Sequence, residues 1–186
     1  MCGRYKLTSP PEVIRRLFSA EGLPNFPIRY NIAPTQQSPV VCQSGTGVRV
    51  LRMMRWGLIP PNSATGLRGK PLINARAESV AKVPVFRAAY RQRRCLVPTD
   101  GFFEWTDTNG GRQPYLFRRR DDAVFCFAGL WERWQEPQGG ASILSFTILT
   151  TQASELVRPI HHRMPVILTQ EQVPGWLGEE QLGEDA

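Results

Sequence analysis

Cys2, directly after the initiator methionine, carries the most distinctive chemistry available to this chain. Methionine aminopeptidases act when the second side chain is small, so Met1 is expected to be removed. Removal leaves an α-amine and a thiol on adjacent carbons. Their ordinary pKa values, about 7.7–8.0 and about 8.5, make both partly nucleophilic near neutral pH. Such a 1,2-aminothiol condenses with an aldehyde to an imine, and the sulfur then closes a thiazolidine ring on the same carbon. An internal cysteine cannot do this, because its nitrogen belongs to a peptide bond. Position alone also allows a plain buried cysteine.

An imine-forming site needs a proton donor, a group that fixes the amine and contacts for an anion. Glu104 lies in GFFEW, and strand alternation puts it on one face with Phe102, opposite Phe103 and Trp105. A carboxyl among aromatics is expected to have a raised pKa, as suits a general acid; on an edge strand it would instead face water. Asn74 and Arg76 share NARAE. Asn offers both a donor and an acceptor to an amine, although an N-cap Asn with a surface Arg is the plainer account. His161 and His162 are the two histidines, in IHHRMP. Either can shuttle protons near pH 7, but adjacent side chains are not expected to face one site, so one should be a bystander. Arg4 lies two residues beyond Cys2, on the same face of a strand. Trp56, beside Arg55, would stack on a base if exposed and pack in the core if not.

The 186 residues suit one domain, spanning 1–186. A formal charge of +7 arises from 23 basic and 16 acidic residues. Lysine occurs only at positions 6, 70 and 82, so arginine carries the excess. Arginine binds phosphate in bidentate fashion and stacks on bases, which points to a polyanionic partner. Cys2, Cys42, Cys95 and Cys126 form no C-x-x-C pair and have no histidine at ligand spacing, so neither zinc nor another metal or cofactor is expected. Cys42, Cys95 and Cys126 sit in apolar runs and are expected to be buried. No signal peptide or membrane span is evident, and a reducing cytoplasm fits free thiols.

The elements that must hold these residues alternate irregularly. A strand is expected at 2–8, then a helix with Ser9 as cap, prolines in its first turn and Gly22 at its end. Residues 38–56 read as a hairpin around 44–47. A loop is expected over 60–71, a helical stretch over 77–90, and strands at 94–98, 101–107, about 114–118, 123–132 and 143–151. A helix over 151–159, a strand over 164–169 and a last helix from about 170 complete the pattern. The result is an α+β fold, β-rich, with a barrel-like mixed sheet surrounded by helices.

MCGRY at the amino terminus, then YNIAPT, WGLIP, NARAE, GFFEW and HHRMP, resemble in this order the SOS-response-associated peptidase (SRAP) family of abasic-site processing proteins. The resemblance runs from residue 1 to about residue 170. It implies a covalent crosslink to abasic sites in single-stranded DNA through the N-terminal cysteine, formed as a thiazolidine after Met1 removal. Matched motif by motif, it implies catalytic roles for Cys2, Asn74, Glu104 and His161, the last through the string H-x-R-M-P. It places Arg4, Trp56, Arg76 and Arg163 along a DNA channel. Family members usually continue beyond the H-x-R-M-P strand, so part of that carboxy-terminal segment is expected to be missing here. The expected protein is a cytoplasmic monomer that joins the nucleoid when bound to DNA in the damage response. Two other readings remain: a cysteine peptidase using Cys2 and His161 on other proteins, and a noncatalytic nucleic-acid-binding module.

Overall fold

The computed structural model describes residues 2–22, 24–64 and 66–179. In chain order the elements are β1 (Arg4–Leu7), α1 (Pro11–Leu17), β2 (Arg29–Ile32), β3 (Gln37–Gln43), β4 (Arg49–Trp56), β5 (Asn74–Arg76), α2 (Pro84–Gln92), β6 (Arg94–Thr99), β7 (Gly101–Thr108), β8 (Gly111–Phe117), β9 (Phe125–Gln135), β10 (Ser142–Gln152), β11 (Arg163–Pro165), β12 (Ile167–Leu168) and α3 (Gln172–Leu177). Strands β4, β3, β6, β9 and β10 pair in that order. The ring closes because β10 pairs both with β9 and, in parallel, with β4. Closure removes the exposed edges of an open sheet. The short strands β5 and β11 add to β10, and β12 adds to β9. A separate four-stranded sheet has the order β2-β1-β7-β8. The expected β-rich α+β architecture with a barrel-like sheet is therefore the one found.

The small sheet docks on the barrel through aromatic side chains. Tyr5 of β1 meets Trp56 edge-on at 5.1 Å and Phe127 at 6.0 Å between ring centroids. Phe102 of β7 meets Phe127 at 5.9 Å, and Trp56 stacks on Phe146 at 6.4 Å. All five rings are buried. Each such pair adds about 0.5–1.5 kcal/mol beyond the area it removes from water. Asp100, between β6 and β7, clips the same region. Its Oδ2 accepts from the Thr8 amide at 2.6 Å, the Thr8 hydroxyl at 2.8 Å and the Ser9 amide at 3.1 Å, and Lys6 pairs with Oδ1 at 3.1 Å.

Several expected elements differ. Ser9 is not the cap of α1; its amide is taken by Asp100, and Pro10 precedes the helix without a side-chain cap. The helix ends at Leu17 rather than near Gly22. Ser19 adopts φ 49° there, while Ala20 N–H bonds Arg15 O and Ser19 N–H bonds Arg16 O. This is the pairing of a Schellman stop with serine in the place usually taken by glycine. Helix α2 starts only at Pro84, whose fixed φ suits a first turn, and residues 77–82 form turns. The expected helix over 151–159 is instead the end of β10 followed by turns, with Pro159 lacking the amide that a longer helix would need. The strand expected over 164–169 is split into β11 and β12, since its two parts pair with different barrel strands. Among the described residues no helix is long and apolar enough to cross a membrane.

Trp56→Ala should cost about 3–5 kcal/mol, read from the urea midpoint, because the cavity opens where sheet and barrel meet. Burial pushes the Asp100 carboxyl up, but the Thr8 and Lys6 contacts outweigh it and hold the pKa below the ordinary value. Its stabilising contribution is therefore present above the ordinary carboxylate range and is lost as pH falls through the depressed pKa. The stability gap between wild type and Asp100→Asn should narrow steadily below about pH 4.

Candidate active site

Docking brings four chain segments to one seam. From the small sheet come Cys2, immediately before β1, and Glu104 of β7. The barrel contributes Asn74 at the start of β5 and the His161–Arg163 segment that enters β11. The antiparallel register of β1 on β7 pairs Arg4 with Phe103, so the chain leading back to Cys2 passes Glu104. Asn74 is fixed by its register with Ile148 of β10. Its Nδ2 donates to the Cys2 carbonyl at 3.0 Å, which ties barrel to sheet across the seam. Its Oδ1 is buried and without a partner among the described residues, leaving an acceptor at the same place. Asn74 is thus a strand residue and not a helix cap.

Glu104 is 2% exposed and shares its face with Phe102, as alternation requires. Burial pushes its carboxyl pKa up, opposed by nearby basic groups that include His162 and Arg112. Arg112 carried no sequence signal: it is an ordinary hairpin arginine that pairing of β7 with β8 sets near the site. Cys2 has no accessible surface in the chain that still carries Met1. Burial first, and then the Glu104 charge, hold the Cys2 thiol well above its ordinary range. Its sulfur donates weakly to Arg4 O at 3.7 Å. The thiols of Cys42, Cys95 and Cys126 are buried as expected.

His161 and His162 precede β11. Their rings stack at 4.5 Å with 24° between planes, so both lie on one side of the chain. His161 Nδ1 lies 2.9 Å from Arg163 O and 3.0 Å from the Arg163 amide nitrogen, so the Arg163 backbone orients the ring in either tautomer. Burial lowers the His161 pKa and so favours the neutral imidazole.

Two residues expected along a DNA channel are buried. Trp56 is completely buried and donates from Nε1 to Ile73 O at 2.9 Å, so it offers no face to a base. Arg163 is 8% exposed; its guanidinium holds Glu78 at 2.7 and 3.0 Å and Thr150 O at 2.6 Å. That pair pulls the Glu78 carboxyl down to about 2. Arg163 therefore joins β11 and β10 to the segment after β5, and Glu78, not singled out by sequence, is its partner. Arg76 is exposed at the end of β5, and Arg4 is half-buried with Nη1 on Gly3 O at 2.8 Å. Among the described residues no group of three His, Cys, Asp or Glu side chains is placed to hold a metal ion. A cleft of about 460 Å3 between Phe102, Phe125, Leu156 and Met164 contains none of the four candidate catalytic residues.

The chain and its fold have counterparts among known proteins. Abasic site processing protein YoqW of Bacillus subtilis (strain 168) is 37% identical over 189 residues, covering 100% of this chain and 84% of that protein. Abasic site processing protein HMCES of Xenopus tropicalis is 29% identical, covering 95% of this chain and 66% of that protein. A crystal structure of a Bacteroides thetaiotaomicron protein superposes with a TM-score of 0.84 at 28% identity, covering 95% of this chain and 81% of that one. A Bordetella bronchiseptica protein gives a TM-score of 0.80 at 29% identity, covering 95% and 88%. The family SOS response associated peptidase (SRAP) matches residues 1–186. With the same fold, and with family and relatives spanning the chain, this protein belongs to the SRAP family.

Proposed function

We propose that this protein processes abasic sites in DNA, and that it does so by linking covalently to the lesion in single-stranded DNA through Cys2 after loss of Met1. The observation that carries the reading is the 3.0 Å bond from Asn74 Nδ2 to the Cys2 carbonyl, made beside the buried Glu104 carboxyl. It fixes the residue that would become the new terminus against a proton donor. The names of the relatives support the lesion as substrate.

An abasic deoxyribose is mostly a closed hemiacetal. Glu104, whose burial favours the protonated carboxyl, gives its proton to the ring oxygen as the C1′–O bond breaks, and the C1′ hydroxyl loses its proton to water to leave the aldehyde. The Cys2 α-amine, held by Asn74, adds to C1′, and the resulting carbinolamine loses water to give the imine. The thiol then adds across the C=N bond: sulfur bonds to C1′ and the thiol proton ends on nitrogen, with no change in oxidation state. An open imine allows β-elimination and strand cleavage, whereas the closed ring protects the lesion. Held through Nδ1 by the Arg163 backbone, His161 moves protons between these steps. Before Met1 leaves, burial keeps the thiol protonated and inert. Glu104 and His161 would also assist hydrolysis of the Met1–Cys2 bond, a self-processing that fits the family's peptidase name. Arg4 and Arg76 contact flanking phosphates, so binding weakens with salt. The protein acts as a monomer in the cytoplasm.

A peptidase acting on other proteins has less support. The Cys2 sulfur bonds a backbone carbonyl and is held neutral by burial and by Glu104, the reverse of the thiolate–imidazolium pair such an enzyme needs.

Cys2→Ala should abolish the adduct with aldehyde-bearing abasic single-stranded DNA on a denaturing gel; an undiminished stable adduct would refute the assignment. Glu104→Gln should slow single-turnover adduct formation about 10²–10⁴-fold. In wild type the rate should fall as pH rises through the raised Glu104 pKa, since only the protonated carboxyl donates. The Gln variant should lack that limb of the profile.

A further inference from the structure

Arg55 is a half-buried arginine that, like Arg4 and Arg29, pairs with no carboxylate among the described residues, and it is the one of the three that lines a cavity with a second basic side chain. Arg49, Arg93 and Arg163 each face a carboxylate, Glu179, Glu132 and Glu78 respectively. Arg94 lies over the rings of Tyr90 and Trp176. Arg55 makes one hydrogen bond, from Nη1 to Gly57 O at 3.1 Å, and pairs with no carboxylate among the described residues. Burial lowers its pKa, as expected for a cation losing water without gaining an anion. Its side chain lines a cavity of about 210 Å3 whose wall also holds Lys70, Ser63, Gly66 and Gly69 and includes no Asp or Glu.

The cavity is built rather than incidental. Gly57 has φ +120°, and a Cβ there would lie 2.7 Å from Pro71 Cβ and 3.1 Å from Arg55 Nη1. Only glycine lets the guanidinium and the loop wall close to this distance. The far end of the loop is tied down by Leu58 N–H on Leu72 O at 3.0 Å and by Trp56 Nε1–H on Ile73 O. Pro71 in the wall is three residues from Asn74, at most about 10 Å of extended chain.

We propose that Arg55 and Lys70 form an anion subsite that takes a phosphodiester of the strand flanking the lesion, an inference that rests on DNA being the substrate. Arg55 offers a planar fork to two phosphate oxygens, and Lys70, exposed at the rim, adds a mobile point charge. The subsite would hold the strand on the barrel side of the seam while Arg4 and Arg76 hold it beside the reacting sugar.

The test uses single-stranded oligonucleotides bearing a tetrahydrofuran abasic analogue, which has no aldehyde, so binding is read without adduct formation. Fluorescence anisotropy against salt should give a slope about 0.7 shallower for Arg55→Gln, the value of one single-strand phosphate. Lys70→Gln, on an exposed residue, should weaken low-salt binding several-fold and keeps the test usable if Arg55→Gln fails to fold. Neutral methylphosphonates placed singly at flanking linkages should weaken wild type several-fold at one linkage and leave Arg55→Gln unaffected there. Unchanged salt slopes and additive effects at every linkage would overturn the subsite. If inorganic phosphate alone stabilises wild type and not Arg55→Gln, while no linkage shows coupling, the cavity takes a free anion and the strand assignment is wrong. Failure of the wild-type protein to form an adduct with aldehyde DNA would instead overturn the reading of function, so the two failures are distinguishable.

Discussion

Tyr5 and Phe102 reach from the small sheet onto Trp56 and Phe127 of the barrel, and the whole site depends on that docking. The candidate residues are split between the two bodies: Cys2 and Glu104 on the sheet, Asn74 and His161 on the barrel. Aromatic contacts suit this joint because they are large, directional and close-packed, so the seam has little room to slide. The polar link from Asn74 to Cys2 is then a short bond made between already positioned partners. Such a bond adds only about 0.5–1.5 kcal/mol and could not set the arrangement alone.

The polar groups at the seam are divided between structural and chemical use. Asp100 and Arg163 are buried charges with several hydrogen bonds each, and they lock the corners where chain segments cross. Asn74 Oδ1 lacks a partner among the described residues, and the Glu104 carboxyl is pushed toward its neutral form by burial. Burying polar groups costs stability, and groups with shifted pKa values of this kind cluster at functional sites. The uncompensated Arg55 beside its glycine-built cavity follows the same logic with the opposite charge.

Much of the fold was legible because its strands are strongly patterned. The β3–β4 hairpin, the interior strands β9 and β10, and the alternation that buries Glu104 with Phe102 all follow from period-two hydrophobicity. The misread segments are those where a local signal met a tertiary competitor. Ser9 resembles a cap, but Asp100, more than ninety residues away, takes its amide. Residues 151–159 have helical composition, but pairing with β11 keeps the strand running to Gln152. The histidines were expected to diverge, yet the turn before β11 stacks them.

The sequence alone determined the chemistry on offer: a second-position cysteine, a carboxyl between aromatics, an amide and a histidine in ordered motifs, and an arginine-rich charge balance. Residue type fixes what a group can donate, accept or attack, whatever surrounds it. Only the tertiary structure decided which of these groups meet and which arginines remain available. Trp56 and Arg163 became framework and Arg55 was left facing a cavity, because burial and partners depend on contacts between residues far apart in the chain.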